Sequence, residues 1–445
     1  MKPIAYGIDF GTTNCSISVA TGDGVQVLDL YPGGDMRGVL PSLVYLHRSG
    51  VRTAGMEAAA SFMVTGGQRT SCQRCELAVF EADESYSDCK QFDPRGNCLD
   101  SRLIAGIKDE LANQSFTHTH SWATDFALED MAAVIFTDLR RRAGALGWDG
   151  TDRLVVGHPV AFVGAEGDGF EEQQALAEDR LMRAAHRAGF DEVVPVPEPV
   201  AAVMDEPLGD GVSVSVDFGG GTFDVAVLEV VGGEGEVKAL DGAAIGGSFF
   251  DALIFDDKVS PEIGLHRDIG LKHRPVPAWF RHGLRSLSGV KELLSSRYTP
   301  GVLADMANTD PRQAALVDSI LYSGQALDFY RAIEAAKIEL SDSDRSSIEF
   351  HPPGLDLSIP FTRQELDILI DPSLDVIDAR IAVALDVAGC SASDVTSVIR
   401  TGGSSQLAGF VERLDRTFGP EKVRSRDAYT SVAYGLGVIA MEMWA

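Results

Sequence analysis

Two short stretches of this chain carry residue types suited to gripping phosphate. One is Gly7-Ile8-Asp9-Phe10-Gly11-Thr12-Thr13-Asn14, and the other is Val216-Asp217-Phe218-Gly219-Gly220-Gly221-Thr222-Phe223-Asp224. Glycines let backbone N–H groups approach a phosphate closely, and the hydroxyls of Thr12, Thr13 and Thr222 add donors to the same cradle. Asp9 and Asp217 end the strands that lead into these loops. Phosphate oxygens would repel them there unless a divalent cation or its waters lay between, so the pattern predicts Mg2+. Gly-rich hairpins are common singly. An Asp-Phe-Gly triplet that recurs about two hundred residues later argues against coincidence, and for two loops that reach one phosphate chain from opposite sides.

Each loop needs a hairpin to present it. Ile4 to Asp9 and Cys15 to Ala20 read as strands around the first turn, and Val212 to Asp217 and Phe223 to Val231 flank the triple glycine. Leu40-Pro41-Ser42 begins another strand, and Leu154 to Gly157 is a short buried strand stopped by His158-Pro159. The spacing of Phe126, Met131, Val134, Ile135 and Leu139 predicts a helix from Trp122 to Leu146. A second amphipathic helix is expected from about Phe170 to Ala188, ended by Gly189. From about Gly209 the hairpin-then-helix order repeats, so the chain reads as two related α/β lobes. The expected division is residues 1–208, with a cysteine-bearing insertion at 66–100, and residues 209–427, with a helix at 428–445 packing back on the first lobe. Leu265 to Arg285, mildly basic and containing Trp279, reads as a solvated face of an accessory subdomain.

The 445 residues are 45% hydrophobic and 23% charged, the balance of an ordered globular protein with ample core. Sixty-six acidic against thirty-eight basic side chains give a formal charge of −28. That charge opposes extended contact with nucleic-acid phosphate or anionic lipid, and excludes both as expected partners. Met1-Lys2-Pro3 leads straight into a strand with no apolar leader, and no stretch of eighteen apolar residues occurs, so the expectation is a soluble, cytoplasmic protein.

The duplicated loops resemble those of the actin-like ATPase superfamily, which embraces actin, the sugar kinases and the DnaK-type 70-kDa heat-shock chaperones. The order of further segments resembles the chaperone branch over nearly the whole chain. Pro197-Glu198-Pro199-Val200-Ala201-Ala202 is similar to the family segment that holds a catalytic glutamate. Taken alone, Glu198 would read as a solvated loop residue, or as a group ordering an attacking or metal-bound water. Ile245-Gly246-Gly247-Ser248-Phe249-Phe250-Asp251 resembles the turn after the second phosphate loop. Glu334, Lys337 and Ser341 resemble the helix residues that hold ribose and adenine, and Gly402-Gly403-Ser404 the turn beneath the adenosine. Pro159 matches a proline at the family's lobe junction. For the family's phosphate-reaching lysine the candidate is Lys108, with a solvated surface lysine as the other reading. Three positions depart from the pattern: Ile338 stands where an arginine stacks on adenine, Gln406 replaces an arginine, and Tyr429 an acidic residue. Ala184-Ala185-His186-Arg187-Ala188-Gly189-Phe190 is similar to the YegD-like subgroup, whose members have the nucleotide-binding region only. The chain stops at Ala445, directly after the last predicted helix, so the peptide-binding domain of full-length chaperones is not expected.

The resemblance implies a two-lobed actin-like ATPase fold, built of duplicated ribonuclease H-like lobes with accessory subdomains. It implies a slow Mg2+-dependent ATPase that binds ATP and ADP and uses lobe closure to act on a protein partner. Its catalytic groups would be Glu198, Asp9, Asp217, Thr222 and Lys108, with Asp9 and Asp217 holding Mg2+ through water. The nucleotide would meet Gly11, Thr12, Thr13 and Asn14 on one side, and Gly219, Gly220, Gly221 and Thr222 on the other. Two other functions stay open: a nucleotide-binding regulatory module without turnover, and a small-molecule phosphotransferase. The latter would need a general-base aspartate beside an acceptor hydroxyl, and no such constellation is legible in the sequence.

Four of the six cysteines, Cys72, Cys75, Cys89 and Cys98, fall in the insertion. They could form a tetrahedral Zn2+ site that orders a loop without a core of its own, or remain unconnected thiols.

Overall fold

The computed structural model describes residues 2–32, 38–66, 68–71, 97–122, 124–165, 167–204, 209–232 and 234–445. It has the two-lobed actin-like architecture, and its two central sheets repeat one connectivity. In the first sheet the strand order is Glu192–Pro197, Arg153–His158, Ala5–Phe10, Asn14–Thr21 and Gly24–Val27, with Leu40–Pro41 paired to Asn14–Thr21. Ala5–Phe10 runs antiparallel to Asn14–Thr21, with Ile8 opposite Ile17, and parallel to Arg153–His158. The second sheet runs Glu234–Ala243, Phe223–Val231, Gly211–Phe218, Val395–Thr401 and Val423–Ser425. Its leading strand likewise turns into an antiparallel neighbour and lies parallel to a strand that arrives much later in the chain.

Strand alternation decides what the Asp-Phe-Gly triplets do. Side chains two apart share a face, so Tyr6, Ile8 and Phe10 point together into the first core while Asp9 points away from it. That core is filled by Phe136 and Leu139 of helix Leu128–Ala145 and by Leu181 of helix Phe170–Arg187. Phe10 stacks on Phe136 at a centroid separation of 5.1 Å. Val214, Val216 and Phe218 do the same in the second sheet, where Phe218 meets Phe250 and Phe410 edge-on at 5.8 and 5.0 Å. Each triplet thus anchors its loop with a fully buried phenylalanine and turns its aspartate to the opposite face.

The last helix, Ser431–Trp444, lies against the other face of the first sheet. Gly7 and Gly437 make that approach feasible: a Cβ on Gly7 would stand 2.5 Å from the Gly437 amide nitrogen. Ser18 Oγ donates to the Ala433 carbonyl at 2.5 Å, and Ala5, Ala20, Val155, Val432, Leu436 and Ala440 complete the apolar contact. The lobes also touch elsewhere: Val200 and Val203 pack with Ala226, Leu228 and Ile399. Val160 N–H donates to Asp224 Oδ1 at 2.7 Å near the base, and Leu43, Tyr45, Ala58 and Ala59 of the first lobe pack with Leu327 of the second near the mouth.

Three sequence expectations change. The helix predicted from Trp122 starts at Leu128, because Thr124–Ala127 pairs with His118–Ser121 as a hairpin and Trp122, at φ 52°, makes its turn. Asp130 then receives the Ala127 N–H at 3.1 Å and starts the helix. The 66–100 insertion is not irregular throughout, since Arg69–Ser71 pairs with Asn97–Leu99. Within Leu265 to Arg285, Arg267, Lys272 and Arg274 are exposed, but Leu265, Ile269, Val276, Phe280 and Leu284 belong to the second core. Cys72, Cys75 and Cys89 lie outside the described residues, and Cys98 is placed only by its backbone in the Asn97–Leu99 strand. Among the described residues no helix is long and apolar enough to cross a membrane.

Candidate functional site

The two loops face each other at close quarters. Gly11 closes the first hairpin so tightly that a Cβ there would collide with the Asn14 carbonyl. Gly219 N–H donates to the Thr222 carbonyl at 3.0 Å and closes the second. A Cβ on Gly220 would lie 2.8 Å from Thr13 Oγ1, and one on Gly221 would collide with Thr12 Oγ1. Only bare backbone fits opposite the threonine hydroxyls, which is the physical reason for glycine at both positions. Helix Gly247–Ile254 is seated on the second loop: Gly247 and Ser248 N–H donate to the Gly219 and Gly220 carbonyls at 3.1 and 2.8 Å. Beneath it, Gly402 has φ 83° and faces Phe218 and Asp217, while Ser404 Oγ donates to the Gly219 carbonyl at 2.7 Å.

Between the loops lies a group of buried charges. Glu198 opens the short helix Glu198–Ala201 directly after the Glu192–Pro197 strand, and Lys108 opens the single turn Lys108–Glu110. Lys108 Nζ donates to Glu198 Oε1 at 2.6 Å, with both side chains at most 7% exposed. Burial opposes the Lys108 charge, but Glu198 and Asp9 more than offset it and hold the ammonium above the usual lysine range. Burial pushes the Asp9 carboxyl well above the carboxylate range, and the Glu198 charge adds to this against Lys108. Asp217 is pushed to about 7, first by burial and then by Glu198, although Thr401 Oγ1 donates to it at 3.1 Å. Asp224 is raised by the same two causes; it accepts from Thr222 Oγ1 at 2.7 Å.

Four carboxyl groups therefore share one ammonium in a pocket largely withdrawn from bulk solvent. Such a set lacks positive charge, and a divalent cation between Asp9 and Asp217 would supply it. Among the described residues no three carboxylate, histidine or cysteine groups converge as direct metal ligands. Asp9 and Asp217, two carboxylates of one pocket, are residues that could hold a hydrated Mg2+.

At the other end of the cleft stands helix Ala326–Glu339. Glu334, Lys337, Ile338 and Ser341 follow its 3.6-residue period and line one wall. Lys337 Nζ donates to the Gly247 carbonyl at 3.0 Å and pairs with Asp251 at 2.8 Å. Ile338, which is 53% exposed, and Gln406 and Tyr429 also line the cleft, so the three departures from the expected pattern cluster at this end.

Apart from the four cysteines, every predicted site residue except Gly246 lines this single cleft. Gly246 lies behind the wall, its Cα against the Gly220–Gly221 backbone with no room for a Cβ. Lys108 is buried, so the surface-lysine reading is excluded. Three acidic residues were missed. Asp224, fully buried, ends the second phosphate-loop segment, and Asp251, partly exposed, ends the Gly246-Gly247 turn segment. Asp109, which accepts from Thr12 Oγ1 at 2.8 Å, carried no pattern that could have found it.

The model of one protein family, described as Hsp70 protein, matches residues 5–275 and 317–442 of this chain.

Proposed function

The chain belongs to the Hsp70 family, which makes it an ATP-binding ATPase of chaperone type, and from that premise we propose that it hydrolyses ATP slowly and uses the nucleotide state to set the closure of its two lobes. Residues 1–208 with 428–445 form one lobe in this reading and 209–427 the other. The repeated sheet connectivity supports the division, as does the last helix lying on the first sheet.

The observation that carries the chemistry is the Lys108–Glu198 contact, buried between two loops that also bear Asp9, Asp217 and Asp224. Thr12, Thr13 and Thr222, with the amides of Gly220 and Gly221, bind the phosphates. Glu198 orients the attacking water on the γ-phosphoryl side. Lys108 fixes the Glu198 rotamer and offsets charge that builds on the transferring group. Asp9 and Asp217 hold the hydrated Mg2+, which supplies positive charge to the phosphoryl oxygens when bound with nucleotide. Slow turnover accords with Glu198 being tied to an ammonium rather than free to take a proton. Lobe closure accords with the contacts at base and mouth, Asp224 with Val160 and Leu43 with Leu327, because both must loosen for the cleft to open.

Glu198→Gln keeps the shape and removes the charge. It should lower the single-turnover rate by ~10²–10³-fold and leave ATP binding nearly intact. Asp217→Asn should instead weaken Mg2+-dependent nucleotide binding, since its carboxylate acts in the ground state. Hydrolysis by Glu198→Gln at the unmutated rate would refute the assignment of that glutamate.

A further inference from the structure

We infer that Asp109 sets the preference of this cleft between nucleoside di- and triphosphates, and holds it toward the diphosphate. The inference rests on the nucleotide reading above and adds a residue to it. Asp109 Oδ1 accepts the Thr12 hydroxyl at 2.8 Å, and a Cβ on Gly221 would lie 2.9 Å from the same oxygen. The carboxylate thus stands across the gap between the two phosphate loops. It makes no ion pair among the described residues, because the neighbouring Lys108 ammonium is committed to Glu198.

The direction of the cleft gives this position its meaning. The wall of Glu334 and Lys337 marks one end, and Thr12 and Gly221 mark the phosphate end. Asp109 stands beside Thr12, on the wall of an outer cavity of about 1070 Å³ that runs along the cleft and shares Thr12 and Thr13 at the phosphate end and Glu334 and Tyr429 at the other. A triphosphate whose last phosphoryl group lodged between Thr12 and Gly221 would bring it against Asp109, and a diphosphate would not reach so far. Two costs then fall on the triphosphate alone: like charges come together in a partly desolvated place, and the Thr12 hydroxyl is already occupied. Burial pushes the Asp109 carboxyl to about 6, against the Thr12 bond and Lys108, a sign that its charge is poorly compensated even with the cleft empty. To admit a triphosphate the carboxylate has to release Thr12 and turn into the outer cavity, which has the room.

The test measures binding of Mg·ADP and of Mg with the non-hydrolysable imido analogue of ATP by calorimetry, on the unmutated chain, Asp109→Asn and Asp109→Glu. Asp109→Asn keeps the acceptor for Thr12 and loses the charge. It should tighten the triphosphate analogue about tenfold or more and move ADP by less than about threefold. Asp109→Glu should keep the unmutated ratio, and unchanged ADP affinity shows that each variant is folded. An equal change for both nucleotides in Asp109→Asn overturns the inference. So does a weaker triphosphate, which would make Asp109 a group that helps to hold the γ-phosphoryl through a cation. If the unmutated chain binds neither nucleotide, the parent reading of the cleft fails, and this inference with it.

Discussion

Removing the positive charge from the buried pair should cost far more than removing the negative one. Lys108 Nζ and Glu198 Oε1 are 2.6 Å apart, which at an effective dielectric of ~20 corresponds to roughly 6 kcal/mol of gross attraction. Desolvation cancels much of this in the intact pair, but deleting one partner leaves the other buried and uncompensated, typically at ~3–5 kcal/mol. The surroundings break the symmetry. Lys108→Met abandons Glu198 beside Asp9, Asp217 and Asp224, all of which it already repels. Glu198→Gln leaves Lys108 still attracted by Asp9 and Asp224 and relieves that repulsion. In nucleotide-free protein with chelator, Lys108→Met should lower stability by ~3–5 kcal/mol, and Glu198→Gln by about 1 kcal/mol or less. For a folding unit of about 200 residues the first loss is a fall of roughly 6–20 °C in the unfolding midpoint. The double variant should recover much of it, giving a coupling energy of at least about 2 kcal/mol. Equal costs for the two single variants, or a Lys108→Met midpoint within about 2 °C of the unmutated one, would show that the ammonium is not the counter-charge of this pocket.

Three further outcomes test the frame around the site. Gly7→Ala should destabilise by ~1–3 kcal/mol in urea unfolding, because its Cβ would press on the Gly437 backbone at 2.5 Å and displace the last helix; a neutral change would mean the helix does not sit there. Helix Arg363–Val387 begins with Thr362 Oγ1 accepting the Glu365 N–H at 3.3 Å and Glu365 Oε2 accepting the Thr362 N–H at 2.9 Å. Thr362→Ala should therefore cost ~1 kcal/mol. The Lys258 ammonium, then the Thr362 hydroxyl, hold Glu365 down at about 2. A carboxyl depressed in the fold stabilises above its unfolded value, and that contribution fades as pH falls from about 5 toward 2. Glu365→Gln should accordingly flatten the acid limb of the stability curve, and an unchanged limb would rule out the pairing.

The Asp-Phe-Gly triplets made much of this protein legible from its sequence. Period-two alternation requires that if Phe10 and Phe218 enter the cores, Asp9 and Asp217 point the other way, and glycine at 11 and 219–221 announces a backbone that something must approach closely. The wall of Glu334, Lys337 and Ser341 was legible through the family resemblance of that segment. Where two local signals competed, reading along the chain failed: the apolar period running back to Phe126 suggested a longer helix, but strand pairing with His118–Ser121 claimed those residues.

What remained was decided only in three dimensions. Nothing near Lys108 states that its partner is Glu198, 90 residues away, or that Asp224 will meet the Val160 amide 64 residues back. Asp109 has the composition of any surface aspartate until Thr12 and Gly221 close around it. The reason is physical. A local pattern fixes which face of an element leaves water, because burial is set by neighbours a few residues apart. The balance of charge in a pocket depends on which distant elements deliver their ends to the same point, and that is fixed by the packing of whole sheets and helices.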